Sequence, residues 1–162
     1  RCNYIFVMAT HASRDTTTGA VNELSIETFL KENQTRDVHS QVWLGYHPNG
    51  TKKHKLDILL GGQVYVKENN KLPTSLHKGG ELISLKYQGV DGTAEEKVPY
   101  EFIKLQHSID RHNYEGAVIV LCGDGWTLKE YYLSDNFKHH MKELYPDVEI
   151  MSEDNFRNRH CK

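Results

Sequence analysis

The run Ala117-Val118-Ile119-Val120-Leu121-Cys122, bounded by Gly116 and Gly123, constrains this chain more than any other stretch. An unbroken apolar run offers no polar face, so a strand made from it must be covered on both sides. Strands of that kind have parallel neighbours and lie between helical layers, which predicts an α/β architecture. Gly123-Asp124-Gly125 reads as the turn that ends this strand. It is not a phosphate loop, because Gly-X-X-X-X-Gly-Lys is absent.

A second strand is predicted at Gly79-Gly80-Glu81-Leu82-Ile83-Ser84-Leu85-Lys86-Tyr87-Gln88, where apolar and polar residues alternate after a Gly-Gly entry. Alternation places Ile83, Leu85 and Tyr87 on one face and Ser84, Lys86 and Gln88 on the other. A lysine between a serine and an amide, on the back of a greasy strand, fits either a solvated face or a polar site. Upstream, Val42–Tyr46 and Lys52–Leu60 flank His47-Pro48-Asn49-Gly50, an Asn-Gly hairpin signal, and Val64–Val66 makes a third short strand. Asp57 stands inside the return leg, predicted to face away from Leu56, Ile58 and Leu60. Aspartate is disfavoured in strands and costly to bury alone, so it is either a strand-edge residue in water or a metal-binding carboxylate on a rigid element.

Helices are predicted on either side of these strands. Residues 20–30 form one, with Val21, Leu24, Thr28 and Phe29 toward the core and Glu23 at the edge of that face. Thr93 and Glu96 have capping-box spacing before a helix running to Asp110. Its stripe is Val98, Phe102, Leu105 and Ile109; Glu101 lies at the stripe's margin, while Glu95 and Glu96 point further away. A third helix spans Asp135 to Leu144 behind Ser134 or Asp135, followed by a strand at Val148–Met151. Tyr4–Met8 reads as a strand or the start of a buried helix, and His11–Gly19 as a loop.

The chain has 162 residues and net charge −2, which fits one domain over 1–162 with a real core but excludes a generally basic nucleic-acid coat. A chain that begins Arg1-Cys2 also reads as a fragment or trimmed product. Cys2, Cys122 and Cys161 are too scattered for a disulfide framework or a zinc site, so a reducing, cytoplasmic setting is expected. No stretch is long and apolar enough to span a membrane. His139-His140 lie on different sides of a helix without a Cys-X-X-Cys, which argues against zinc.

In this order, the stretches Gly19-Ala20-Val21-Asn22-Glu23, Lys55-Leu56-Asp57-Ile58, Ile83-Ser84-Leu85-Lys86-Tyr87-Gln88 and Gly92–Glu101 resemble the PD-(D/E)XK nuclease superfamily, especially its type II restriction endonucleases. The resemblance covers about Gly19 to Trp126. It implies a restriction-endonuclease-like core, a central mixed β-sheet flanked by helices, with the Asp57 and Lys86 strands adjacent. It also implies a Mg²⁺-dependent endonuclease acting on double-stranded DNA, with Asp57, Lys86, Glu101, Glu23, Ser84 and Gln88 catalytic.

Two departures matter. Leu56 replaces the usual proline before the strand aspartate, and Ser84 replaces the usual acid two residues before the lysine. Some restriction enzymes with Ser-X-Lys recruit a glutamate from the following helix, so Asp57 and Glu101 are the expected metal ligands. Without Glu101 in that role, the chain would be an inactive DNA-binding or assembly subunit of the same fold. The basic run Thr51–Lys55 offers Lys52, Lys53 and Lys55 to the DNA backbone. Duplex cleavage further suggests a homodimer matching the two-fold symmetry of DNA.

Overall fold

The structure is a computed structural model that describes residues 17–69, 72–90 and 92–162; Tyr4–Met8 lies outside the described residues. The elements run α1 (Thr17–Asn33), β1 (Val38–Tyr46), β2 (Lys53–Leu60), β3 (Val64–Tyr65), β4 (Thr74–Ser75), β5 (Glu81–Tyr87) and α2 (Ala94–Arg111). They continue with β6 (Gly116–Cys122), α3 (Lys129–Tyr132), α4 (Asp135–Leu144), β7 (Val148–Ser152) and α5 (Glu153–His160). Seven strands form one mixed sheet in the order β3-β4-β1-β2-β5-β6-β7. The hairpin β1–β2 and the pair β2–β5 are antiparallel, whereas β5, β6 and β7 are mutually parallel.

The apolar run behaves as its composition requires. Strand β6 lies between β5 and β7, and every residue from Ala117 to Cys122 is buried. Its alternate side chains feed two cores. Ala117, Ile119 and Leu121 join Val98, Phe102 and Leu105 of α2 and Phe137 and Met141 of α4. Val118, Val120 and Cys122 join Ile26, Phe29 and Leu30 of α1 and Phe156 of α5. The sheet is thus sandwiched between α2/α4 and α1/α5.

Several boundaries and faces differ from the sequence expectation. Helix α1 begins at Thr17, inside the expected loop. Its buried stripe is Ile26, Phe29 and Leu30, while Val21 and Leu24 are each 63% exposed. Thr93 makes no side-chain capping bond. Strand β4 arises within the expected 69–78 loop and pairs parallel to β1 at Trp43. Ser134 does cap α4, its hydroxyl accepting from the Phe137 N–H. Cys122 is a buried free thiol, but Cys161 is disulfide-bonded, contrary to the reading of the cysteines as unpaired.

The antiparallel pair β2–β5 is closed at one end by two glycine pairs. A Cβ on Gly62 would stand 2.6 Å from the Gly79 carbonyl oxygen, and one on Gly80 would stand 2.8 Å from Leu59 Cδ1. Both glycines also have positive φ, +72° and +93°, which side-chain-bearing residues rarely adopt.

The phase of α1 gives a direct test. Leu30→Ala should cost about 2–5 kcal/mol, as for other buried leucines. Leu24→Ala should stay within about 0.5 kcal/mol, as for exposed positions. Urea unfolding of the two variants checks both values, and equal costs would contradict the observed phase.

Candidate active site

The ladder between β2 and β5 pairs Leu60 with Glu81, Leu59 with Leu82 and Ile58 with Ile83. Beyond Ile58 the strands part, and Asp57 replaces the missing backbone partner: its Oδ2 accepts the Leu85 N–H at 2.7 Å. Burial pushes the Asp57 carboxyl up, to about 6, against the opposing pull of Lys86 and the Leu85 N–H. The nearby carboxylates of Glu23 and Glu101 add to the rise. Leu56 packs into the α2-side core, but Ile58 and Leu60 pack into the α1-side core. The expected common face of Leu56, Ile58 and Leu60 is therefore broken at Asp57.

On β5 the expected alternation holds. Ile83, Leu85 and Tyr87 pack toward the α1 side. Ser84 and Lys86 turn toward α2, where Glu101 enters from the helix. Ser84 Oγ donates to Glu101 Oε1 at 2.8 Å, and Lys86 Nζ donates to Ser84 Oγ at 2.9 Å. Lys86 Nζ lies 3.4 Å from Glu101 Oε2, and Lys104 Nζ, one helical turn on, lies 2.7 Å from the same oxygen. Glu101 is only 4% exposed. Burial alone would raise its pKa, but the ammonium groups of Lys86 and Lys104, with hydrogen bonds from Lys104 and Ser84, hold it at about 2.

The other residues singled out in the sequence have different settings. Glu23 accepts a hydrogen bond from Gln41 Nε2 of β1. Gln88 is buried but outside the Ser84–Lys86–Glu101 network; its Nε2 donates to the Gly125 carbonyl at 3.1 Å. Lys52, Lys53 and Lys55 are exposed, with Lys53 Nζ 4.9 Å over the Trp43 ring. His54, in the middle of that basic run, is buried and its Nδ1 lies 3.2 Å from Ser108 Oγ of α2. Glu95 does not point away as expected. It is buried, accepting from Thr127 Oγ1 at 2.7 Å and the Leu128 N–H at 2.9 Å, so it pins the chain entering α3. Glu96 is exposed.

Lys104 and Gln41 were not singled out from the sequence. The i,i+3 spacing of Glu101 and Lys104 was a legible signal for the first. Gln41 carried none, because its role depends on the backbone conformation of β1.

Among the described residues, no three His, Cys, Asp or Glu side chains converge closely enough to form a metal cluster on their own. The donor chemistry nevertheless suits a hard cation. Asp57 and Glu101 offer carboxylate oxygens from rigid elements, and magnesium takes few carboxylates while keeping several waters. The half-buried Asp57 carboxyl, only partly compensated by Lys86 and one N–H, would be relieved by a cation beside it.

A family profile described as a PD-(D/E)XK nuclease superfamily domain matches residues 14–162, and the chain belongs to that superfamily. Searches of curated proteins and of solved structures returned no match. The mixed sheet flanked by helices accords with the family's fold.

The opposite shifts of the two acids predict opposite pH effects in cation-free buffer. Asp57 holds its proton more tightly when folded, so its contribution to stability falls as pH rises from about 4 to about 6. Glu101 holds its proton less tightly when folded, so its contribution is lost as pH falls from about 4.5 toward 2. Thermal unfolding with EDTA should show Asp57→Asn gaining stability relative to the parent between pH 4 and 7. A constant difference across that range would contradict the assignment.

Proposed function

We propose that this domain is a Mg²⁺-dependent endodeoxyribonuclease of the restriction type, cutting double-stranded DNA at specific sites. The observation that carries this reading is the convergence of Asp57, Lys86 and Glu101 where β2 and β5 separate. Membership of the nuclease superfamily supports it.

Asp57 and Glu101 would hold the magnesium ion. When bound, the ion would polarise the scissile phosphate and lower the pKa of its water. Lys86, steadied by Ser84, is suited to orient that water and to stabilise charge developing on the phosphate. Ser84 stands where the family usually places an acid; here it orients Glu101 from the strand while Glu101 supplies the charge from the helix. Lys104 keeps Glu101 ionised. Glu23 adds a further negative charge that Asp57 feels. The exposed Lys52, Lys53 and Lys55 would meet backbone phosphates. The buried Gln88 serves the packing of the Gly125 turn more than the reaction.

One observation favours a second reading. Both Glu101 oxygens are already engaged by Ser84, Lys86 and Lys104, as they would be in an inactive relative that holds or assembles on DNA. Supercoiled plasmid separates the two. The nuclease reading expects Mg²⁺-dependent nicking that EDTA abolishes. Glu101→Ala and Lys86→Ala should each slow it by about 10²-fold or more, with DNA binding in Ca²⁺ largely retained. Ser84→Ala should be much milder. DNA binding without nicking in Mg²⁺ would instead support the inactive reading.

Cutting both strands of a duplex is most simply achieved by two copies about a two-fold axis. The proposed enzyme is therefore a homodimer on DNA. Analytical ultracentrifugation should show two protomers per cognate duplex; one protomer, both free and bound, would rule this out.

A further inference from the structure

Gln41 has the left-handed φ of +54° within β1, a conformation that among the described non-glycine residues only His77 shares. A side-chain-bearing residue is strained there, so the surrounding structure must enforce it. Its position is informative. The register pairs Ser40 with Ile58 and Val42 with Leu56, which sets Gln41 across from Asp57.

Both strands turn over at this pair. In a regular strand, residues two or four apart share a face. Yet Val38 packs into the α1-side core, while Val42 and Leu44 pack into the α2-side core. On the partner strand, Leu56 and Ile58 are divided in the same way. A left-handed residue in one strand is a means of making such a local twist.

The Gln41 side chain then crosses to the helix layer and donates from Nε2 to Glu23 Oε1. Among the described residues, Glu23 has no ion pair and its second oxygen takes no hydrogen bond. An amide fixes the carboxylate's orientation without neutralising it. A lysine or arginine at this position would hold Glu23 equally well, but would place a positive charge opposite Asp57.

We infer that Gln41 is a positioning residue: its left-handed backbone rolls the hairpin over at Asp57, and its amide ties the Glu23 carboxylate to the strand opposite Asp57, where its charge helps draw a cation to Asp57 and Glu101. This rests on the nuclease reading of Asp57. Gln41 touches neither substrate nor cation; it acts through Glu23.

Isothermal titration of the DNA-free protein with Mn²⁺, together with thermal unfolding, tests it. Gln41→Gly removes the amide but tolerates the left-handed backbone, so the melting temperature should hold or rise. Mn²⁺ affinity should nevertheless fall by about tenfold, the scale expected when a group supporting a cation site from outside its ligands is lost. Gln41→Asn, whose side chain also tolerates this backbone but is shorter, serves if the glycine variant folds poorly, and should weaken binding likewise. Glu23→Gln should match the loss, and the double variant should lose no more than either alone, because the two act as one unit. Parental Mn²⁺ affinity in Gln41→Gly, with binding lost in Asp57→Asn, would overturn the inference while leaving the nuclease reading intact. Parental affinity in Asp57→Asn as well would overturn both.

Discussion

The site exists because one backbone ladder stops early. Strands β2 and β5 pair as far as Ile58 and Ile83 and then diverge, so the Leu85 N–H loses its strand partner and takes the Asp57 carboxylate instead. A buried N–H without an acceptor is costly, and so is a buried carboxylate without donors; each here answers the other's need. The opening between the strands leaves room for Lys86 and for the approach of Glu101 from α2. Strand β6 holds the far side of β5 in full parallel register from Glu81 to Tyr87, so the divergence is borne by the β1–β2 hairpin, which stays paired through it.

The charges gathered in that opening are nearly balanced. Asp57 and Glu101 bring two carboxylates and Glu23, tied to β1 by Gln41, acts on Asp57 from further off; Lys86 and Lys104 bring two ammonium groups. With all five ionised, the cluster carries one excess negative charge. On the nuclease reading, a dication would convert that to one excess positive charge, which suits the phosphate of a substrate. Cation and phosphate would then favour one another's binding, each supplying charge the other needs.

Much of this was legible in the sequence because it rests on local pattern. The apolar run of β6 announced a strand buried on both faces. Alternation in β5 placed Ser84 and Lys86 together, and helical phase brought Glu101 inward to meet them. Helix α1 misled because Val21 and Leu24 also fit a helical stripe, and periodicity alone cannot say which part of a helix overlies the sheet. Glu95 misled for a related reason: it is drawn in by the Thr127 hydroxyl and the Leu128 N–H, over thirty residues away in the chain. Strand β4 is two residues long and too short for any pattern. Gln41 was illegible in principle, since a positive φ at a non-glycine residue leaves no mark in composition.

The glycine pairs that close β2 against β5 have a geometric meaning beyond close packing. Gly62 and Gly80 clamp one end of the β2–β5 ladder, whose pairs run from Leu60–Glu81 to Ile58–Ile83 before the strands part toward Asp57 and Lys86. Gly61 and Asp57 are four residues apart, about 13 Å of extended chain. Tilting β2 by about 5° over that length displaces the carboxylate by about 1 Å, a misplacement that can cost an enzyme about 10²-fold in rate. The ladder is therefore the fulcrum of a lever with the glycines at its other end: a side chain that wedged them apart would be felt at Asp57, far from the residue that was changed.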